Sequence, residues 1–197
     1  DGLTLISNSD AHSPRTLGRE ANILDCALEY SQIAQAIMTN DHRFVGTIEF
    51  YPQEGKYHWD GHRKCNVVFN PEETKQHQGL CPNCGKPLVL GVDYRVDQLA
   101  DRPLNYQPKK HKTVEYIIPL PEIIAELEGV KGTQTNAVQA IYKKLLATFG
   151  NEFHILRTLD LAELSQGGFP MIAEAIKRMR TGQVNITPGY DGVFGQI

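Results

Sequence analysis

The residues of this chain best suited to chemistry lie between His58 and Gly85. Cys81 and Cys84 stand in C-x-x-C spacing, with Pro82 inside the pair and Gly85 behind it. His62 and Cys65 stand in H-x-x-C spacing, and 15 residues separate the two pairs. A C-x-x-C turn aims two thiolates at one ion, and the glycine lets backbone amides turn toward the sulfurs. Four such donors, commonly with one imidazole among them, make a structural zinc site. Zinc is therefore expected on Cys65, Cys81, Cys84 and one further group. His62 is the first choice, His58 the competitor and Asp60 a more distant third. A disulfide between two of these thiols in a secreted protein is the alternative. It fits poorly with C-P-x-C-G and with an N-terminus that lacks the charged, apolar and small pattern of a signal peptide.

A second group with ligand chemistry is Ser9-Asp10-Ala11-His12. It follows Leu3 to Ser7, which reads as a short buried strand entered from a turn. In a β/α barrel, residues just after a strand line the active-site face. A carboxylate oxygen and an imidazole nitrogen placed there can reach one metal or bridge two, which suits Zn, Mn or Fe. Taken alone, the tetrapeptide reads as well as a capping Asp with a surface His. Arg15 and Arg19 follow as phosphate contacts or as ordinary helix-surface charge.

These groups need elements to position them. Gly18 to Met38 carries helical patterning, interrupted near Tyr30 and Ser31. Phe44 to Tyr51 alternates with period two and reads as a strand ended by Pro52. Leu88 to Leu90 reads as a strand closing the zinc module, and Val92 to Ala100 as a helix. Arg102 to Thr113, with two Pro and little apolar content, reads as a linker or exposed loop. Pro121 to Glu128 is a short amphipathic helix. Gly129 to Thr133 breaks it, and Thr135 or Asn136 caps a helix to about Thr148, with Val138, Ile141, Leu145 and Leu146 on one face. Leu159 to Leu164 and Pro170 to Met179 repeat the pattern around a Gly-rich break. The G-V-K-G break resembles a helix-hairpin-helix, in which Gly129, Lys131 and Gly132 would hold a DNA phosphate. Glycines serving only as helix C-caps are the alternative. The tail from Val184 to Gly192 reads as a strand and a turn.

Composition narrows the classes. The chain has 197 residues, 41% of them hydrophobic and 22% charged, as globular domains do. No apolar run reaches the length of a membrane span. A reducing, cytoplasmic setting is expected, and Cys26 reads as a small core residue. The net charge of -3 is uneven: Lys56 to Lys112 holds ten Lys and Arg against six Asp and Glu. A basic module on an acidic chain suits a polyanion such as DNA. Within it, Tyr57, His58, Trp59, Arg63 and Lys64 are candidate DNA contacts. Trp59, the single Trp, could stack on a displaced base or cover the zinc. No G-x-x-x-x-G-K-[ST] loop is present; Gly79 to Lys86 has one residue too many.

Ser9-Asp10-Ala11-His12 with Arg15, Gly18, Arg19 and Glu20 resembles the closing metal motif of the PHP superfamily of phosphoester hydrolases. FVGTIEFYPQEGKYHWDGHRKC at Phe44 to Cys65, NPEET at Asn70 to Thr74, CPNCGKPL at Cys81 to Leu88, RVDQLADRP at Arg95 to Pro103 and PGYDG at Pro188 to Gly192 are together similar to the endonuclease Q family. That resemblance implies an α+β chain in three parts. Residues 1–52 would be the end of a PHP-type distorted β/α barrel, 53–103 a two-knuckle zinc-binding module, and 104–197 a helical, helix-hairpin-helix-like domain. It also implies a DNA repair enzyme that nicks beside deaminated bases such as uracil and hypoxanthine, with Asp10 and His12 as catalytic metal ligands. The chain departs from the family in having no H-x-H before Asp10. Divalent Zn, Mn or Mg at a PHP site is therefore expected only with a preceding N-terminal part, and this chain alone is expected to be inactive. A noncatalytic zinc-dependent DNA-binding or scaffolding module, accessory to a helicase, is the competing expectation.

Overall fold

The computed structural model describes residues 3–103, 106–109 and 111–197. The chain packs as two compact units. One holds the residues up to Phe50 and those from His111 to Gln183; the other holds Tyr51–Lys109 and Val184–Ile197. The first unit draws on both sides of the second in the chain because Phe44–Glu49 and Thr113–Tyr116 pair in one sheet.

In the first unit, β1 (Ala21–Leu24) pairs antiparallel with β2 (Phe44–Glu49), and β2 pairs parallel with β5 (Thr113–Tyr116). The helical reading of Gly18 to Met38 is corrected here. Only α1 (Tyr30–Thr39) is helical, and the residues before it form β1, where Ala21 and Ile23 alternate onto the core. The strand expected at Leu3 to Ser7 does not form either. Leu3 and Leu5 are 85% and 82% exposed. Ser7 is held by the Asn22 side chain instead, which accepts from its N–H at 3.1 Å and donates to its carbonyl at 2.9 Å.

The helices that follow keep close to their sequence signals: α4 (Leu120–Leu127), α5 (Asn136–Phe149), α6 (Leu161–Gln166) and α7 (Pro170–Arg180). Thr135 caps α5, accepting from Val138 N, and Asp160 caps α6, accepting from Ala162 N. Leu120, Ile124, Val138, Leu145, Leu164 and Ile176 are buried in one core with Ile48 of β2. Between α5 and α6 the chain makes a π-turn over His154–Thr158 that the sequence did not signal. Its neighbouring carbonyls are taken up by Arg180, whose guanidinium donates to the oxygens of Ile155, Leu156 and Leu159 at 2.8–3.0 Å.

In the second unit, β3 (Asp60–His62) and β4 (Val67–Phe69) form a short hairpin, followed by α2 (Pro71–Gln76) and α3 (Val92–Leu99). Val89 exchanges both backbone hydrogen bonds with Gly61, so Leu88 to Leu90 closes the module as a single bridge. Among the described residues no helix is long and apolar enough to cross a membrane.

Candidate metal centre

His62 ends β3, and Arg63–Cys65 turns immediately in a 3-10 turn that Asn66 closes at φ 51°. The H-x-x-C pair therefore sits at the tip of the β3–β4 hairpin with both donors on its inner side. The second knuckle is tighter. Cys81 N donates to Lys86 O and Gly85 N to Cys81 O, both at 2.8 Å, and Gly85 takes φ 68°, a region that suits glycine. Asn83 Nδ2 donates to the Cys65 carbonyl at 3.2 Å, tying the knuckles together. The segment between them is set by α2, whose start is a reciprocal capping box. Asn70 Oδ1 accepts from Glu73 N, and Glu73 Oε2 accepts from Asn70 N, both at 2.9 Å. Phe69 stacks on His77 with ring centroids 4.6 Å apart, holding the end of α2 on the hairpin.

The result is one cluster. Donor atoms of His62, Cys65, Cys81 and Cys84 all lie within 4.8 Å of one another, and His62 Nδ1 is 3.4 Å from Cys84 Sγ. A tetrahedral ion with Zn–S and Zn–N bonds of ordinary length needs S···S near about 3.8 Å and N···S near about 3.5 Å. The four groups fit a metal ion such as zinc. Cys81 is buried and Cys84 exposed, so the site is shielded on one side only. Without an ion the thiols perturb each other. Hydrogen bonding to Cys84, then burial, raises Cys65. Burial alone would raise Cys81, but the Asn83 N–H, the His62 ring and the Cys84 N–H together hold it down.

The other two candidates for the fourth ligand lie outside the cluster. Asp60 is fully buried and accepts from Gly91 N at 2.6 Å, which anchors the segment leading to α3. His58 is half-buried, with burial lowering its basicity against the opposing charge of Asp93.

Around the knuckles, Tyr57, Arg63 and Lys64 are exposed and Trp59 half-buried. The sequence did not connect these residues to the tail, which the fold lays against them. Trp59 N donates to Gly189 O at 2.9 Å, Arg63 N to Asp191 Oδ2 at 2.6 Å, and Tyr190 Oη to Asn66 Oδ1 at 3.0 Å. The Tyr190 ring covers Gly61 so closely that a Cβ there would run into it. Only the turn-forming G-Y-D-G hinted at such a role.

In the first unit, Asp10 and His12 are exposed, and His12 Nδ1 donates to the Asp10 carbonyl at 2.8 Å. Among the described residues the knuckle cluster is the one group of His, Cys, Asp and Glu able to hold a metal, and neither Asp10 nor His12 is in it. Arg15 is exposed. Arg19 is engaged by Glu152 at 2.7 Å, a carboxylate that also accepts from Leu120 N at 2.9 Å and Tyr142 Oη at 2.8 Å. Gly129 closes α4 at φ 65°, with Val130 N returning to Ala125 O at 2.9 Å, the pattern of a glycine helix cap. Lys131 beside it is exposed.

Residues 119–183 match the family model of the MJ0043 C-terminal domain. MJ0043 itself, an uncharacterized protein of Methanocaldococcus jannaschii, is 36% identical over 203 residues, covering 99% of this chain and 25% of its own length. The uncharacterized protein YqxK of Bacillus subtilis is 27% identical over 98% of this chain and 46% of its own. Among solved structures, the lesion-specific endonuclease PfuEndoQ of Pyrococcus furiosus matches all of this chain with a TM-score of 0.86 at 29% identity, over 49% of its length. A structure of endonuclease Q with a 27-mer duplex carrying an abasic lesion at the active site matches 97% of this chain, and 48% of its own, with a TM-score of 0.77. The resemblance to endonuclease Q read from the sequence thus holds in three dimensions. This chain spans less than half the length of each of these relatives.

Proposed function

We propose that this chain, whose fold is similar to endonuclease Q along its whole length, is the zinc-stabilised DNA-binding part of an endonuclease Q-like DNA repair protein. The observation that carries this reading is the likeness to a lesion-specific endonuclease across the whole chain. Zinc held by His62, Cys65, Cys81 and Cys84 fixes the two knuckles, and with them the exposed Arg63 and Lys64, as a rigid basic surface for DNA phosphates. Residues 1–52 are the closing piece of a PHP-type catalytic domain, 53–103 the zinc module on which the tail from Val184 packs, and the helices between them a helix-hairpin-helix-like domain in which Lys131 and the Gly132 amide meet the backbone, the Gly129 N–H being taken by Glu126 O. Arg15 is a further phosphate contact, and Arg19 a lesser one because Glu152 engages it.

In the intact cytoplasmic enzyme, Asp10 and His12 contribute to a site for Zn, Mn or Mg ions, which supply an activated water for hydrolysis of the phosphodiester beside a deaminated base. The bond from His12 Nδ1 to a backbone carbonyl supports this role, since it fixes the tautomer that leaves Nε2 for a metal. The strongly exposed Leu3, Leu5, Leu17 and Leu28 fit a surface that the rest of such a domain covers. The absence of a third ligand-type group beside Asp10 and His12 among the described residues favours a second reading, a noncatalytic DNA-binding or scaffolding module accessory to a helicase. Binding of this chain to short duplexes at low ionic strength tests both. Affinity that falls steeply with salt is expected, and a chain with no affinity for DNA would sink either reading.

A further inference from the structure

The tail does more than brace the knuckles: it completes an aromatic and basic patch that neither segment makes alone. Phe194 is 70% exposed and Tyr57 46% exposed. The ammonium of Lys56 stands 5.7 Å from the centroid of each ring. The turn at Gly192 lies against Tyr57 and Arg63: a Cβ built there would lie 3.6 Å from Tyr57 Oη and 3.7 Å from an Arg63 guanidinium nitrogen. Tyr57, Arg63, Lys56 and Phe194 are thus held on one face by residues far apart in the chain.

This face is rigidly built. Gly189 N donates to Gln53 O, Gly192 N to Lys56 O and Gly195 N to Glu54 O, at 2.8–3.0 Å, so backbone bonds flank Phe194 on both sides. Gly195 fits so closely that a Cβ there would strike Gln53 O. Asp191, at the edge of the patch, accepts from the Arg63 N–H at 2.6 Å, which fixes its carboxylate in place. A large ring left in water on a fixed backbone, beside the Lys56 ammonium, does not serve the core.

We propose that Phe194 and Tyr57, with Lys56 and Arg63, form a site for an unpaired base and its flanking phosphate. The rings supply a stacking surface that tolerates any base, and the cations meet the phosphate. The inference rests on the DNA-binding reading above and adds to it a preference for unpaired over paired DNA.

The test uses the whole chain, two labelled oligonucleotide duplexes that differ only by a three-nucleotide bulge, and fluorescence anisotropy at low salt. The wild type is expected to bind the bulged duplex more tightly. Phe194→Ala should weaken that binding about fivefold or more, the low end of the range for one stacked base, and change plain-duplex binding less than twofold. Phe194→Trp should restore the preference, which separates stacking from a structural role of the ring, and unchanged zinc content verifies that the knuckles survive. Lys56→Gln should weaken both duplexes and lower the salt slope by about one unit. If the wild type binds both duplexes equally, or Phe194→Ala weakens both alike, the site is overturned while the DNA-binding reading stands. If the wild type binds neither duplex, both fall together.

Discussion

Replacing His62 by Ala tests the metal centre most directly. The apolar cluster behind the knuckles has three buried side chains, Val67, Cys81 and Leu88, and one of these belongs to the metal-binding cluster itself. A core that small does not hold a fold by itself, so an ion at this cluster would carry much of the module's stability. Structural zinc contributes about 10–16 kcal/mol, which averages about 2.5–4 kcal/mol for each of four ligands. Loss of one should therefore weaken zinc binding by about a hundredfold to a thousandfold, at 1.4 kcal/mol per tenfold. Competition with a chromophoric chelator measures this, and amide exchange over residues 60–90 reports whether the knuckles open as the metal leaves. His58→Ala is the control, since His58 lies outside the cluster, and should release zinc no more readily than the wild type. Zinc retention by His62→Ala equal to the wild type, or easier release from His58→Ala, would refute the assignment. Well-folded wild-type protein carrying less than about 0.3 zinc per chain would refute the site itself.

Incubated with uracil- or hypoxanthine-containing duplexes and Mg, Mn or Zn, this chain alone should produce no nicks on a sequencing gel; specific nicking lost in Asp10→Asn would show that the site is complete here. Replacing Arg63 and Lys64 together by Ala should lower the slope of log affinity against log salt by about two units, read by anisotropy titrations. Glu152→Ala should destabilise the protein by about 3 kcal/mol in urea unfolding, because it strands the buried Leu120 N–H and leaves Arg19 uncompensated; a change under 1 kcal/mol would contradict that. Burial, and then the bond to Glu152, raise Tyr142 from an ordinary value near 10 to about 12. The folded state therefore favours the neutral phenol, a stabilisation intact below pH 10 and lost as pH climbs through 12. Tyr142→Phe should accordingly lose less stability than the wild type between those pH values, read by denaturant midpoints.

The cluster was legible because its information is local. Two ligand pairs at three-residue spacing bring their own turns, and Asn70, Thr135 and Asp160 mark helix starts by capping their own first turns. What escaped depends on distant partners. Ala21 to Leu24 is a strand because Phe44 to Ile48 lies beside it, while the Leu3 to Ser7 run pairs with no strand among the described residues and is tied down by Asn22 instead. The ion pair of Arg19 with Glu152 spans 133 residues, and no local pattern announces it. Asp10 and His12 are the reverse case: the motif is readable, but the described residues supply no further ligands around it.

The attachment of the tail to the knuckles also orders events during synthesis. Arg63 and the Asp191 that caps its N–H are 128 residues apart. At about 5–20 residues per second, the ribosome delivers Asp191 roughly 6–26 s after Arg63. All four residues of the His/Cys cluster are made well before that, so a metal ion could be captured while the Gly61 face still waits for the Tyr190 ring. Early metal loading would then template the surface on which the last residues settle. A cell short of zinc during translation would face a nascent chain whose ending has nothing to close upon.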